Sequence, residues 1–299
     1  MIKKIVTIVF ITFGLIGICL GTSIASENEY PSGIEGIKAG SVPPPGFYYK
    51  MYNVLYTADT MTDDNGNELD LDFDLNLFVN AHRFLWVSDY EIFGGTYGAD
   101  VIIPIFNVDL QIGKLGIDSS EFGLGDICFE PLVLAWHGPQ YDTALGLGFF
   151  APTGQYDKTE PASPGKDMWT WMVTAGGTYY LDSERSWSAS ILARYEIHGE
   201  KDETDLKPGN DFHFEWGIGK TLAKICDVGL TGYCQWQTTD DSGTQGARVN
   251  KDRVYAIGPE LSIFIPQITF FISLRSQWEF SARERSEGNF TTLTFTKIF

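Results

Sequence analysis

The sequence predicts an all-β fold, a twelve-stranded antiparallel transmembrane β-barrel of the bacterial outer membrane, and three observations predict it. Segments of strand length alternate apolar and polar residues with a period of two along most of the chain. The connections between them alternate short and long, as in a barrel whose two termini share one side. The last nine residues, Thr291 to Phe299, put Leu293, Phe295 and Phe299 on one face of a strand that closes on an aromatic.

The first element is not part of the barrel. Lys3 and Lys4 precede an apolar run from Ile5 to Leu20, and Ser23-Ile24-Ala25 follows it. This is the layout of a secretory signal peptide cleaved after Ala25, giving 1–25 as signal. The run is short for a membrane anchor, and Gly14 and Gly17 interrupt it. Ile18 stands where a lipoprotein signal would need a small residue before Cys19. Residues 26–46 are rich in Pro and Gly, with Val42-Pro43-Pro44-Pro45-Gly46 at their end. Extended Pro-rich chain forms no core, so this segment is either a periplasmic tail or a plug in the barrel mouth.

Residues 47–299 make the barrel. No later segment is long and apolar enough for a spanning helix, and a closed barrel is the other structure that satisfies its backbone in lipid. Twelve strands are expected near 47–57, 71–86, 92–106, 122–135, 142–152, 167–181, 187–198, 210–223, 227–238, 252–264, 268–281 and 289–299. The second sets Leu71, Phe73, Leu75, Leu77 and Val79 against Asp72, Asp74 and Asn76. The seventh sets Trp187, Ile191 and Ile197 against Arg194, Glu196 and His198, and the eighth sets Phe212, Phe214 and Trp216 against His213 and Glu215. The eleventh sets Ile272, Leu274 and Trp278 against Arg275, Gln277 and Glu279. Aromatics such as Tyr48, Trp86, Trp136, Trp171, Trp236 and Trp278 fall near strand ends, as in interfacial girdles. Glu130-Pro131, Ala151-Pro152 and Pro259-Glu260 interrupt pairing and mark bulges or rim positions. Lys297 takes an outward position, tolerable where it snorkels to the interface.

Composition narrows the function. The formal net charge is −18, and such acidity argues against a nucleic-acid partner. Cys128, Cys226 and Cys234 follow the signal segment, an odd number without a CxxC pair, and they read as small apolar fillers. No HExxH or comparable spacing implies a metal, and no cofactor is implied. His82, His137, His198 and His213 lie beside no Gly-x-Ser-x-Gly elbow, so an outer-membrane hydrolase is the third reading only. The acidic loop at 58–70 could bind the divalent cations that bridge lipopolysaccharide, but a solvated loop is the simpler expectation.

Under this alternation the polar lumen face holds Asp72, Asp74, His82, Arg194, Glu196, His198, His213, Glu215, Arg275 and Glu279. Those charges would either select solutes in a pore or knit a network that plugs it. The expected function is passive passage of small, hydrophobic or aromatic compounds. The alternative is a structural or surface-interaction barrel with a plugged lumen. The expected partners are outer-membrane lipid, lipopolysaccharide, the barrel-assembly machinery and a small-molecule solute.

Two resemblances accompany these readings. The closing strand, with Leu293, Phe295 and terminal Phe299, resembles that of Gram-negative outer-membrane barrels, which implies an insertion signal. The run from Glu35 through Gly40-Ser-Val-Pro-Pro-Pro-Gly-Phe-Tyr-Tyr49 resembles the start of an outer-membrane family labelled for the meta-pathway of phenol degradation. Tyr97-Gly-Ala-Asp-Val-Ile-Ile-Pro104, Gly123-Leu-Gly-Asp126, Ala151-Pro-Thr-Gly-Gln-Tyr-Asp157 and Gly176-Gly177 are similar to its later blocks, in the same order. The resemblance implies a barrel that passes hydrophobic or aromatic small molecules.

Overall fold

Thirteen strands form one closed antiparallel sheet in a computed structural model that describes residues 27–243 and 250–299. The expected signal segment and its cleavage site lie outside the described residues. The strands are β1 (Gly46–Met61), β2 (Phe73–Ile92), β3 (Gly95–Ile112), β4 (Ile117–Leu124), β5 (Ile127–His137), β6 (Tyr141–Ala151) and β7 (Thr170–Tyr180). They continue as β8 (Trp187–His198), β9 (Asp211–Leu222), β10 (Cys226–Gln237), β11 (Arg253–Ile265), β12 (Phe270–Arg283) and β13 (Ser286–Ile298).

Sequential hairpins build the wall, and β1 paired with β13 from Tyr48↔Ile298 to Met61↔Ser286 closes it. The ring has twelve staves, as the sequence predicts, because β4 and β5 share one. The first part of β3 pairs with β5 from Thr96↔Ala135 to Ile102↔Cys128. Its later part pairs with β4 from Ile105↔Leu124 to Ile112↔Ile117. The stave breaks at Gly125–Asp126. β6 pairs with β5 only as far as Ile127↔Ala151, so β4 has a strand partner on one side alone.

Alternation decides which face meets which solvent. Leu145, Leu147, Trp171, Val173, Ile191, Ile218, Leu230 and Leu274 point outward and are exposed, a band of apolar surface that water would penalise and lipid would not. Between them Thr174, Ser190, Arg194, Glu215, Thr231, Arg275 and Gln277 point inward and are buried. Lys297 points outward, as expected, and its Nζ donates to Ile268 O at 2.7 Å and Thr269 Oγ1 at 2.8 Å.

Glu130-Pro131 forms a bulge, with the β5–β6 register shifting between Phe129 and Leu132. Ala151 ends β6 just before Pro152. At Pro259 the register with β12 is unbroken on either side, from Ile257↔Trp278 to Glu260↔Arg275, so no bulge forms there. The expected long–short alternation of connections is not strict. β3 and β4 run on to a short turn at 113–116, and β12 meets β13 through 284–285. β3 extends because its inner residues there, Phe106, Val108, Leu110 and Ile112, are apolar and its outer ones, Asn107, Asp109 and Gln111, polar, which allows sheet to continue into water beyond the band.

Residues 27–45 lie inside the barrel. Glu27 sits at the end bearing the long loops, where its Oε2 is 3.4 Å from Lys201 Nζ. Ser41, near the segment's other end, donates to Asp142 Oδ2 at 2.8 Å beside the short turns. The segment therefore traverses the lumen from the loop end to the turn end before entering β1. The sequence expectation of both termini on one side does not hold at residue 27. Two glycines let the segment fit. Gly36 has φ +75°, and a Cβ there would collide with Arg275 and Glu260. A Cβ on Gly40 would overlap the backbone of Gly177.

Candidate functional site

The lumen side chains form three tiers, each tied to the N-terminal segment. At the loop end His198 Nε2 lies 3.0 Å from Asp211 Oδ2, and His213 Nε2 lies 3.0 Å from Glu196 Oε1. The backbone N–H groups of Glu29 and Tyr30 both donate to Glu196, at 2.6 and 3.1 Å. Gln235 Nε2 bridges Asp211 and Asp252 at 2.7 Å each, and Arg285 reaches Gln235 and, at 3.6 Å, Glu279.

The middle tier centres on Glu35. Its carboxylate accepts from Lys50 at 2.9 Å, Arg83 at 2.8 Å, Tyr30 at 2.8 Å and Tyr52 at 2.9 Å. Arg83 in turn reaches Asp100 at 2.6 Å and Glu130 at 2.9 Å. Arg194 pairs with Glu215 at 2.8 Å, and Glu215 also accepts from the backbone N–H of Glu35 and Gly36. Arg275 pairs with Glu260 at 3.1 Å and donates to Ile34 O, while Ile37 N donates to Glu260 at 2.8 Å. At the turn end Lys38 Nζ lies 2.9 Å from Asp227. Charges this buried survive only because each has several partners.

Seven of the ten expected lumen residues face inward within this network: Arg194, Glu196, His198, His213, Glu215, Arg275 and Glu279. Asp72, Asp74 and His82 do not. Asp74 is exposed on the outer face, opposite Gln111 of β3, and Asp72 lies in the exposed turn before β2 with φ +54°. His82 also points outward, its Nδ1 2.6 Å from Tyr49 Oη. The cause is an inversion along β2. Its inner residues are Phe73, Leu75, Leu77, Val79 and Ala81, and its outer ones pass from Asp74 and Asn76 to Phe84 and Trp86. The upper part of β2 stands where the outside is water and the inside is an apolar cavity, so apolar residues turn inward.

That cavity, about 230 Å³, is the feature the sequence reading missed. Val54, Tyr56, Val79, Phe106, Val108 and Phe290 supply its barrel wall, and Tyr30, Pro31 and Ile34 of the N-terminal segment supply the opposite side. The stretch Pro161–Pro164 of the β6–β7 loop covers it. The loop is held where the stave breaks: Asp126 Oδ1 accepts from Gly154 N at 2.8 Å and its Oδ2 from Lys166 N at 2.7 Å. Gln155 N donates to Leu124 O at 2.8 Å, so loop chain rather than a strand adjoins the end of β4. The alternating apolar residues of β2 carried the signal, but one sequence cannot tell an apolar inner face from an apolar outer one.

A family described as "Putative MetA-pathway of phenol degradation" matches residues 58–295. The chain belongs to that family. Among solved structures it is similar to the COG4313 outer membrane channel from Pseudomonas putida F1, with a TM-score of 0.78 at 14% identity over 91% of this chain and 100% of that one. It is also similar to the transport unit of the autotransporter AIDA-I from Escherichia coli, with a TM-score of 0.50 at 8% identity over 85% and 90% of the two chains. At such identities the likeness concerns the fold. No match is found among curated proteins. The family assignment and the closed barrel agree with the resemblance read from Glu35–Tyr49 and the later Gly/Pro blocks.

Proposed function

We propose that this protein is an outer-membrane channel for the passive passage of small hydrophobic or aromatic compounds, without catalysis or energy coupling in this chain. One observation carries the reading: an apolar cavity at the loop end adjoins the broken stave, while the axial lumen is filled by residues 27–45. A polar solute would need the axial path, which the Glu35 tier closes. An apolar solute can enter the cavity under Pro161–Pro164 and leave sideways at the Gly125–Asp126 break, where the adjoining end of β4 turns apolar Phe122 and Leu124 outward, into the lipid. Its low solubility in water favours that exit.

In this reading 1–25 is a signal peptide, and Leu293, Phe295 and Phe299 are read by the assembly machinery. The loop end faces lipopolysaccharide and the turn end the periplasm. The test is uptake of labelled single-ring aromatics by cells with and without the protein. Slower uptake in its absence, with unchanged uptake of sugars, is expected; equal uptake of aromatics would refute the channel. The filled lumen favours a second reading, a plugged structural or surface-interaction barrel. That reading predicts no difference in aromatic uptake with and without the protein.

A further inference from the structure

The cavity is mostly apolar, and two polar atoms in its lining stand without a partner. Ser32, 8% exposed, lines it, and its Oγ has no hydrogen-bond partner. Glu29 Oε1, on the same N-terminal segment and also in the lining, is buried and likewise without a partner. Buried polar atoms in native proteins are normally satisfied, and each exception calls for an explanation. Most of the remaining lining is Tyr, Phe, Val, Ile, Leu, Ala and Pro side chains, which ask for a largely apolar occupant, and its other polar members, Asn28, Asp126, Ser163, Lys166 and Arg285, already have partners.

Size and charge narrow that occupant. A dry cavity of about 150 Å³ holds benzene, so 230 Å³ admits a ring with a small substituent and no second ring. Arg285 is engaged by Gln235 and Glu279, and Lys166 donates to Asn28 O at 2.6 Å. Asp126 and Glu196 lie near Glu29, and both bases of the lining, Lys166 and Arg285, already have partners, so a second anion gains no ready counter-charge here.

We infer that the cavity is a binding site for an uncharged, single-ring aromatic compound bearing a hydroxyl. The ring lies between Val79 and Phe106 of the barrel wall and Tyr30 of the N-terminal segment. The hydroxyl donates to Glu29 Oε1 and accepts from Ser32 Oγ, pairing both atoms. This rests on the channel reading only in naming the solute that the channel would carry; the site itself can be tested without transport.

The experiment is equilibrium dialysis of the folded protein in detergent against labelled phenol, benzene and benzoate, with fold monitored by heat-modifiable gel mobility. Saturable binding of one phenol is expected, about tenfold tighter than benzene, as one or two hydrogen bonds would give. Benzoate should not bind. Ser32→Ala should erase most of that preference while leaving benzene binding unchanged, and Val79→Trp should fill the space and abolish both. Equal affinities for phenol in wild type and Ser32→Ala, or undiminished phenol binding in folded Val79→Trp, would overturn the assignment. Absence of saturable phenol binding with uptake intact rejects the site and leaves the channel. Binding as described, with uptake indifferent to the protein, rejects the channel and leaves the site.

Discussion

Arg194 lies over Tyr30, its guanidinium carbon 3.7 Å from the ring centroid. The contact joins the middle of β8 to the N-terminal segment, and the same ring packs edge-to-face with Phe150, the centroids 6.4 Å apart. Tyr30 thus belongs to both functional regions of the interior, the charged tiers and the apolar cavity.

Glu35 anchors the segment. Glu35→Ala leaves Lys50 and Arg83 without their shared carboxylate, and removing one partner of a buried ionic group costs about 3–5 kcal/mol. The segment should then leave the lumen for part of the time. In planar bilayers the variant should show frequent open steps where wild type is nearly silent. Identical traces from the two would remove Glu35 from this role.

Arg275→Ala and Asp74→Ala test the facing of the strands. The first strands Glu260 in the interior and should lower stability by about 3 kcal/mol in urea titrations of the detergent-folded barrel. The second alters an exposed outer residue and should stay within about 0.5 kcal/mol of wild type. A large loss from Asp74→Ala would return Asp74 to the lumen.

Asp126 pins the covering loop to the broken stave through two backbone N–H groups. Asp126→Asn keeps the shape but leaves one acceptor oxygen for two N–H donors, so one bond is lost and the other weakened, a loss of about 1–3 kcal/mol. Protease cleavage between 152 and 169 should accelerate about tenfold or more, with aromatic uptake rising alongside it. Faster cleavage with unchanged uptake would show that the loop does not limit entry.

Acid should act on the same loop through Asp157. The backbone N–H of Thr159, with its hydroxyl, holds this carboxyl below its ordinary value of 3.8. A depressed acid contributes its stabilisation above its unfolded value and loses it as pH falls through the folded one. Cleavage of the loop by an acid-tolerant protease should therefore be flat from neutral pH to about 4 and rise below it. Asp157→Ala should cleave at the fast rate throughout.

The lipid-facing strands were legible because lipid outside and a polar interior leave an unambiguous alternation. Ile191, Arg194 and Glu196 of β8 face as the sequence implies, as do Leu274 and Arg275 of β12. β2 was misread because alternation reports two faces without saying which is wet. Its register never slips between Phe73 and Val87, so the inversion comes from height above the membrane and not from a bulge. Glu130 and Glu260 were passed over because adjacent prolines marked those places as defects, whereas both carboxylates receive arginines. The partners of Glu35 come from the N-terminal segment, β1 and β2, 5 to 48 residues away, and no local pattern foretells them.

The bonds that seat the N-terminal segment reach Arg83 on β2, Glu196 on β8, Glu260 on β11 and Arg275 on β12. Some of these partners lie more than 200 residues apart along the chain, as in the 241-residue separation of Ile34 and Arg275. Such a set exists together only when nearly every stave has taken its place. A segment that precedes every strand in the chain is thus among the last to find its complement, and a reporter near Tyr30 would time the completion of the barrel.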